Sequence, residues 1–392
     1  MTDAAQDLMT HFDVDPARGF LRTADPIRRL PSRFEAWETM TQELPKLLGA
    51  GRLRPAIGAM PELDARGLTT GAERDRAMLL LSYLGHSWVF GGDEVCDRIP
   101  AQLARPWQAV AALLGRPPVL SYASHALYNW RRFDDDQPIA LGNIARLENF
   151  YGGIDEDWFV LVHVAIEATA GPGLVAAVQA QEAVGAKDTA AVTAALTGLA
   201  DAVERMIATL RRMPDNCDPY IYYNRVRQFI FGWMDNPALP DGVYYEGVEA
   251  YQGRPQKFRG ETGAESSIIP AFDAVLGVDL SDGPLGQHLL ELRDYMPPRH
   301  RDFLDELAER PAVRDFVTAH AGEADLVGAY NRCIQLTSEF RRQHLEYAGR
   351  YIRQQQQRSA ANPIETGTGG TPFMTYLAQH ARNTDRYLVG TP

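Results

Sequence analysis

The sequence predicts a mainly helical chain on two observations. Apolar residues recur at steps of three and four rather than two, and the segments with that period are separated by short clusters of Pro, Asp and Gly. The first such segment is Ala77-Met78-Leu81-Leu84, inside the most apolar stretch of the chain, 77–91. Val110-Leu113-Leu114 follows and is stopped by Arg116-Pro117-Pro118. A helix over 157–170 and another carrying Val192-Leu196-Leu199-Val203-Ile207 come next. The segment 218–233 opens with Asp218 as a cap and Pro219 in the first turn, and is expected to end at Gly232-Trp233. Breakers then stand at Asn236-Pro237, Pro240-Asp241-Gly242 and Met296-Pro297-Pro298. Two long irregular stretches, 244–263 and 354–371, are expected to be functional or disordered, because loops of that length are uncommon inside a compact chain. A helix over 331–353 and a last one with Thr371 as N-cap and Pro372 in its first turn complete the series.

The chain has 392 residues, of which 45% are hydrophobic and 23% charged, a globular composition with ample material for a core. A change of composition at 134–153, where Asp134-Asp135-Asp136, Pro138 and Gly152-Gly153 cluster, marks an expected boundary. It divides the chain into a smaller unit, 1–145, and a larger one, 146–392. The balance of 39 Lys+Arg against 51 Asp+Glu gives −12 at pH 7, which argues against a nucleic-acid groove. Cys96, Cys217 and Cys333 are too irregularly spaced for a metal motif and cannot all pair, so a reducing, cytoplasmic setting is expected. The first twenty residues lack the basic start and apolar run of a secretory signal. No uninterrupted run approaches the roughly 18 apolar residues that span a bilayer, so no membrane partner is expected.

Four places carry residues suited to chemistry. On the 331–353 helix, Cys333, Thr337, Phe340, His344, Tyr347 and Tyr351 form one stripe, so His344 is expected to point inward. Arg341, Arg342, Arg350 and Arg353 flank it. Such an imidazole suits a metal ligand beside guanidiniums that hold an anionic cofactor, or equally a hydrogen-bonded core histidine. On the 157–170 helix, His163 shares a face with Phe159, Ile166 and Glu167. It is either paired with Glu167 one turn on or free to face a cavity. In 218–233, Tyr223, Arg227 and Ile230 share a face beside that of Tyr222, Val226 and Phe229. An arginine among aromatics is a receptor for the carboxylate of an aromatic ligand, or a stacking and pairing group. The run Thr366-Gly367-Thr368-Gly369-Gly370-Thr371 lacks the Gly-Lys-Ser/Thr of a phosphate loop, so a nucleotide site is not expected, while a mobile lid is.

Five strings occur together in one order: PYIYYNRVRQFIFGWMDNPALPDGVYYEGV, FRGETGAESSIIPAFDAVLG, YMPPRHRDFLDEL, FRRQHLEYAGRYI and GTGGTPFMTYL. With PPVLSYASHALYNW, they resemble the indoleamine 2,3-dioxygenase family of haem enzymes over about residues 110 to 388. The resemblance implies an all-α fold, with a small N-terminal domain packed on a larger C-terminal helical domain and haem b held between them. It places the iron ligand on His344, and the arginine near the haem propionates with its aspartate partner on Arg341 and Asp273. Tyr122, Phe159, Tyr222, Tyr223, Arg227 and Ile230 fall on the substrate pocket, Thr262 and Gly263 on the loop over the haem, and Thr368 on the lid. Arg227 matches the receptor of the substrate carboxylate.

Two positions depart from the mammalian pattern, His163 standing for a serine and Tyr222 for a phenylalanine. A distal histidine is similar instead to that of tryptophan 2,3-dioxygenases, where it hydrogen-bonds the indole N–H. The implied reaction inserts both atoms of O2 across the indole C2=C3 bond of L-tryptophan or a related indoleamine, giving an N-formylkynurenine-type product. The implied partners are O2, an indole-containing small molecule and an electron donor that keeps the iron ferrous. Two other readings remain: a haem oxygenase acting on a substituted tryptophan or indole in secondary metabolism, and a non-enzymatic haem or O2-binding protein.

Overall fold

Helices carry nearly all of the architecture in the computed structural model, which describes residues 2–355 and 362–390. Residues 356–361 of the expected irregular stretch 354–371 lie outside the described residues. The helix Gly71–Phe90 starts where the sequence makes a capping box. Thr70 Oγ1 accepts from the Glu73 amide at 3.1 Å and the Glu73 carboxylate accepts from the Thr70 amide at 3.1 Å. It is buried almost all round, and Gly85 lets the Trp107 ring lie against it, since a Cβ there would come within 2.1 Å of that ring. Ala101–Leu114, which carries Trp107, ends on Gly115 in the left-handed region.

A second group of helices frames the cavity described below. Ile154–Gly185 packs along Thr189–Leu210, Ala324–Ala348 packs on the latter, and Phe373–Asp385 packs on Ala324–Ala348. Ile154–Gly185 is long and apolar enough by composition to cross a bilayer, with mean hydropathy 1.6 over its most apolar window. Counting uninterrupted apolar runs overlooks it, because Glu167, His163 and several glycines punctuate it. Two-thirds of that window is buried in protein, as expected of a core helix.

Strands are few. Arg98–Ile99 pairs in parallel with Tyr244–Tyr245, and Trp130–Arg132 pairs antiparallel with Ile144–Arg146 with Trp130 opposite Arg146. The acidic run 134–136 forms the loop of this second pair, where Asn143 ties back to Asp134. Apolar side chains gather in two main cores. One takes residues from Leu30 to Leu120 together with Phe229, Phe231, Trp233 and Tyr245. The other takes residues from Val162 to Tyr351 together with Ala5, Met9, Val14 and Phe20 from the start of the chain. Both cores therefore draw on each side of the 145/146 division. All three cysteines are free thiols.

Three elements differ from the expected boundaries. The 331–353 helix begins earlier, at Ala324, and finishes as a π-helical turn, Gly349–Arg353. The last helix is Phe373–Asp385 with Pro372 at the N-cap position, so Thr371 does not cap it. Instead the Thr371 carbonyl accepts from the Gly367 amide at 2.7 Å and closes the glycine-rich turn.

The segment 218–233 keeps its Asp218 cap, with Oδ1 accepting from the amides of Tyr220 and Ile221, but is divided into Pro219–Ile221, a π-helical turn Tyr222–Val226, and Arg227–Ile230. It stops at Ile230 because Phe231 is extended and the backbone crosses another at Gly232 and Gly260. A Cβ on Gly232 would lie 2.1 Å from the Gly260 nitrogen, and one on Gly260 would lie 2.2 Å from the Gly232 nitrogen. Only two glycines permit that approach. The crossing is held by Glu261 N donating to Ile230 O at 3.0 Å and Trp233 N donating to Phe258 O at 2.8 Å.

Candidate functional site

Between these helices lies a cavity of two adjoining lobes that share His163, Gly263, His344 and His380 on their walls. Mostly apolar space lined by this many side chains and partly open to solvent suits a large ligand. Four of the nine histidines, His163, His288, His344 and His380, line the first lobe.

His344 comes from the last turns of Ala324–Ala348, on the stripe expected from its spacing, and is half-buried. Desolvation, with a smaller contribution from His163, pushes its imidazole down to about 4. It is therefore neutral at neutral pH, with a lone pair available. No protein hydrogen bond reaches its ring among the described residues. Of the four arginines expected around it, only Arg341 borders the cavity. Arg341 donates to Asp273 and, at 2.5 Å, to Thr384 Oγ1, and Asp273 Oδ1 is buried without a partner. Arg342 is exposed and paired with Asp385, while Arg350 and Arg353 are exposed.

His163 reaches both lobes from Ile154–Gly185. Its Nδ1 lies 2.7 Å from the Phe159 carbonyl. A carbonyl only accepts, so Nδ1 carries the proton and Nε2 is left as a hydrogen-bond acceptor. Burial holds this imidazole below the usual histidine value, with Glu261 partly offsetting it.

Glu167 is not the partner of His163. Its Oε1 accepts from Tyr122 Oη at 2.9 Å and Ser266 Oγ at 2.7 Å. Burial pushes its carboxyl up to about 7, against the lowering effect of those two bonds. The native state thus keeps a proton that the unfolded chain releases near 4.5. The stabilisation is complete below that value and is lost as pH rises through about 7. Glu167→Gln can accept both hydrogen bonds without titrating. Its stability to denaturant is expected to gain on wild type by roughly 2–3 kcal/mol between pH 5 and pH 8. Parallel pH profiles for the two proteins would contradict this assignment.

Phe159, Tyr222, Ile230, Thr262, Gly263 and Thr368 line the first lobe, and Tyr122, Asp273 and Arg341 the second. Tyr223 and Arg227 do not line either. The π-helical turn shifts the register between Tyr223 and Ile230, so that Tyr222 lines the lobe with Ile230 while Tyr223 and Arg227 lie behind the wall. Tyr223 Oη donates to Asn362 O at 2.5 Å, and Arg227 donates to Asn362 Oδ1, to Pro363 O at 2.9 Å and to Thr366 O at 2.5 Å. Arg227 is fully buried, its Nε has no partner, and no carboxylate lies within ion-pair distance of it among the described residues. Burial pushes its guanidinium down to about 10.

Glu261, His288 and His380 also line the first lobe and were not singled out from the sequence. Glu261 stands beside Thr262 in the FRGETGAE string, and His380 follows Tyr376 and Leu377 by one turn. Burial pushes His288 down to about 4, and His288 Nδ1 and His380 Nε2 are both buried without partners.

No group of three or more His, Cys, Asp or Glu side chains suited to a metal ion occurs among the described residues. A metal at His344 would therefore take most of its ligands from a prosthetic group. An iron porphyrin fits the donor set: one neutral imidazole on the wall of a large apolar cavity, with Arg341 and unpartnered polar atoms at its edges.

Comparison with known proteins gives matches over nearly the whole chain. The family model described as Indoleamine 2,3-dioxygenase matches residues 8–387. Indoleamine 2,3-dioxygenase 2 of Mus musculus is 34% identical over 389 residues, covering 96% of this chain and 95% of that protein. Indoleamine 2,3-dioxygenase acdA of Aspergillus candidus is 34% identical over 394 residues, covering 96% of each. A Fusarium equiseti protein named 6-hydroxytryptophan 2,3-dioxygenase is 32% identical over 393 residues, covering 95% of this chain and 96% of that protein.

Proposed function

The chain belongs to the indoleamine 2,3-dioxygenase family of oxidoreductases, and from that premise we propose that it binds haem b through His344 and oxidises L-tryptophan or a close indoleamine. The observation that carries this reading is that His344 and His163, from two different helices, both line the same two lobes. One is a neutral imidazole with no protein hydrogen bond among the described residues, and the other is a fixed tautomer with an acceptor nitrogen. When bound, ferrous haem supplies the activation of O2 that lets both oxygen atoms enter the indole C2=C3 bond.

The protein's own part is binding and orientation. Phe159, Tyr222 and Ile230 form an apolar wall against which an indole ring packs. His163 Nε2 accepts a hydrogen bond from the indole N–H and sets which edge of the ring faces the oxygen. Arg227 lines neither lobe and has no anionic partner among the described residues, so it meets the substrate carboxylate only when the Asn362–Thr366 acceptors move off its guanidinium. Thr368 and its neighbouring glycines close the lobe and exclude water. Arg341, with Asp273 and Thr384, would hold the haem carboxylates. An electron donor keeps the iron ferrous, and the free thiols fit the reducing cytoplasm where such donors are found.

A second reading, a substituted indole as substrate, is favoured by the polar groups on the first lobe. Tyr222, Glu261 and His288 could each hydrogen-bond a ring hydroxyl. Mass spectrometry of products formed from L-tryptophan, and separately from 6-hydroxytryptophan, under ¹⁸O2 with reductant distinguishes these readings. Two labelled atoms identify a dioxygenase and its substrate, one a monooxygenase. No product from any indole, with reversible O2 binding, would leave an oxygen carrier.

His163→Ser is expected to slow turnover of L-tryptophan by roughly tenfold, the worth of one hydrogen bond of about 0.5–1.5 kcal/mol. Haem content should be unchanged. Because burial lowers His163 from its ordinary value and so favours the neutral form, the wild-type rate should fall less on mild acidification than a free imidazole would dictate. Complete loss of activity with haem intact would instead assign His163 an obligatory proton transfer.

A further inference from the structure

We propose that Glu261 receives the α-ammonium group of the substrate and so selects amino-acid indoles over indoles that lack the amine. The inference rests on the reading of the first lobe as the substrate site. Among the described residues Glu261 is the only Asp or Glu lining that lobe, and it is 3% exposed. No arginine or lysine lies within ion-pair distance of it among the described residues. Its one charged-type contact is His125 Nδ1, 3.5 Å from Oε1, and His125 Nε2 is buried without a partner. A buried carboxylate with so weak a partner is poorly compensated, and a cation entering the lobe would compensate it.

The placement is what ties Glu261 to an ammonium rather than to any cation. Its amide donates to Ile230 O, three residues beyond Arg227 on the same segment. Its carbonyl accepts from Thr368 Oγ1 at 2.5 Å, while Thr366, two residues earlier, accepts from Arg227 at 2.5 Å. The glycine-rich segment thus touches the anionic receptor and the cationic one within three residues. A free amino acid carries its carboxylate and ammonium on one carbon. A dry site that accepts it needs two receptors of opposite sign on adjoining segments. Glu261 supplies the anionic receptor on the wall of the lobe, and Arg227, behind that wall on the adjoining segment, becomes the cationic one when the Asn362–Thr366 acceptors release it; neither has an Arg, Lys, Asp or Glu partner of opposite sign among the described residues.

The test uses the haem-loaded enzyme and two ligands, L-tryptophan and indole-3-propionate, which keeps the carboxylate and lacks the amine. Binding is followed through the change in haem absorbance, and turnover of L-tryptophan in parallel. Glu261→Gln is expected to weaken L-tryptophan binding by roughly tenfold to a hundredfold. Indole-3-propionate should change by less than about threefold in that variant, and Glu261→Asp should lose less of the discrimination than Glu261→Gln. Equal weakening of both ligands, or the same pattern produced by His125→Phe, would overturn the proposal and leave Glu261 as a partner of His125. No change for either ligand would overturn it as well. If the wild type bound neither ligand nor oxidised tryptophan, the failure would lie with the substrate reading itself, which the wild-type measurement registers before any variant is compared.

Discussion

Replacing His344 with alanine is expected to strip the protein of most of its haem while leaving the fold in place. The imidazole is held near 4 by burial, so it is neutral and able to ligate, and no protein hydrogen bond anchors it among the described residues. Removing it leaves no protein donor or acceptor unpaired and opens no closed void, because the ring already borders the cavity. The haem-to-protein absorbance ratio after gel filtration should fall by tenfold or more, since the remaining contacts are packing and carboxylate pairing. The haem-free forms of variant and wild type should melt within a few degrees of one another. His344→Gly with added imidazole should recover ferrous haem that His344→Gly alone does not hold. Full haem with an unchanged ferrous spectrum in His344→Ala would move the ligand elsewhere. His380 is the next position to replace, because its Nε2 is buried on the same cavity without a partner.

The residues that were legible in the sequence are those whose position follows from helical period. His344 lies on the stripe set by Cys333, Thr337 and Phe340, and the cavity is where that stripe leads. His163 falls on the same wall as Phe159 because four residues make one turn of Ile154–Gly185. Period fails where the helix is irregular. Tyr223 and Arg227 were expected on a face with Ile230; the π-helical turn Tyr222–Val226 takes Tyr223 out of that register, and Arg227, one turn before Ile230, is held behind the wall by its hydrogen bonds to Asn362, Pro363 and Thr366. Nothing in the local sequence announces such a turn, which is fixed by what packs on either side. Glu261 is harder still to read. Its place on the wall comes from the contact of Gly232 with Gly260, between segments distant in sequence, and a loop residue has no period to reveal its direction. The early helical start at Ala324 and the Pro372 N-cap are boundary effects of one or two turns, which capping chemistry alone constrains weakly.

Replacing Arg227 with leucine is expected to lower kcat/KM for L-tryptophan by roughly tenfold to several hundredfold with haem content unchanged, since Arg227 lines neither lobe of the cavity. Two effects contribute, and they separate by substrate. The guanidinium is fully buried, pushed down to about 10 by desolvation, and faces only neutral acceptors: Asn362 Oδ1, Pro363 O and Thr366 O. When the Asn362–Thr366 acceptors move aside, a substrate carboxylate that takes their place forms a charge-assisted hydrogen bond that contributes about 1.5–3 kcal/mol, and that contribution vanishes in the leucine variant. The same change leaves those three acceptors without their donor, which loosens the segment from Asn362 to Thr371 and slows closure for every substrate. Tryptamine, which keeps the indole and the amine but has no carboxylate, registers only the second effect and should lose a few-fold. Arg227→Lys keeps the charge, but one ammonium cannot satisfy the three acceptors in the guanidinium's geometry, so it should restore part of the tryptophan rate while the segment stays more open to protease than in wild type. Equal losses for tryptophan and tryptamine in Arg227→Leu, accompanied by faster cleavage within 362–371, would reduce Arg227 to a clamp on the glycine-rich segment and remove it from substrate recognition.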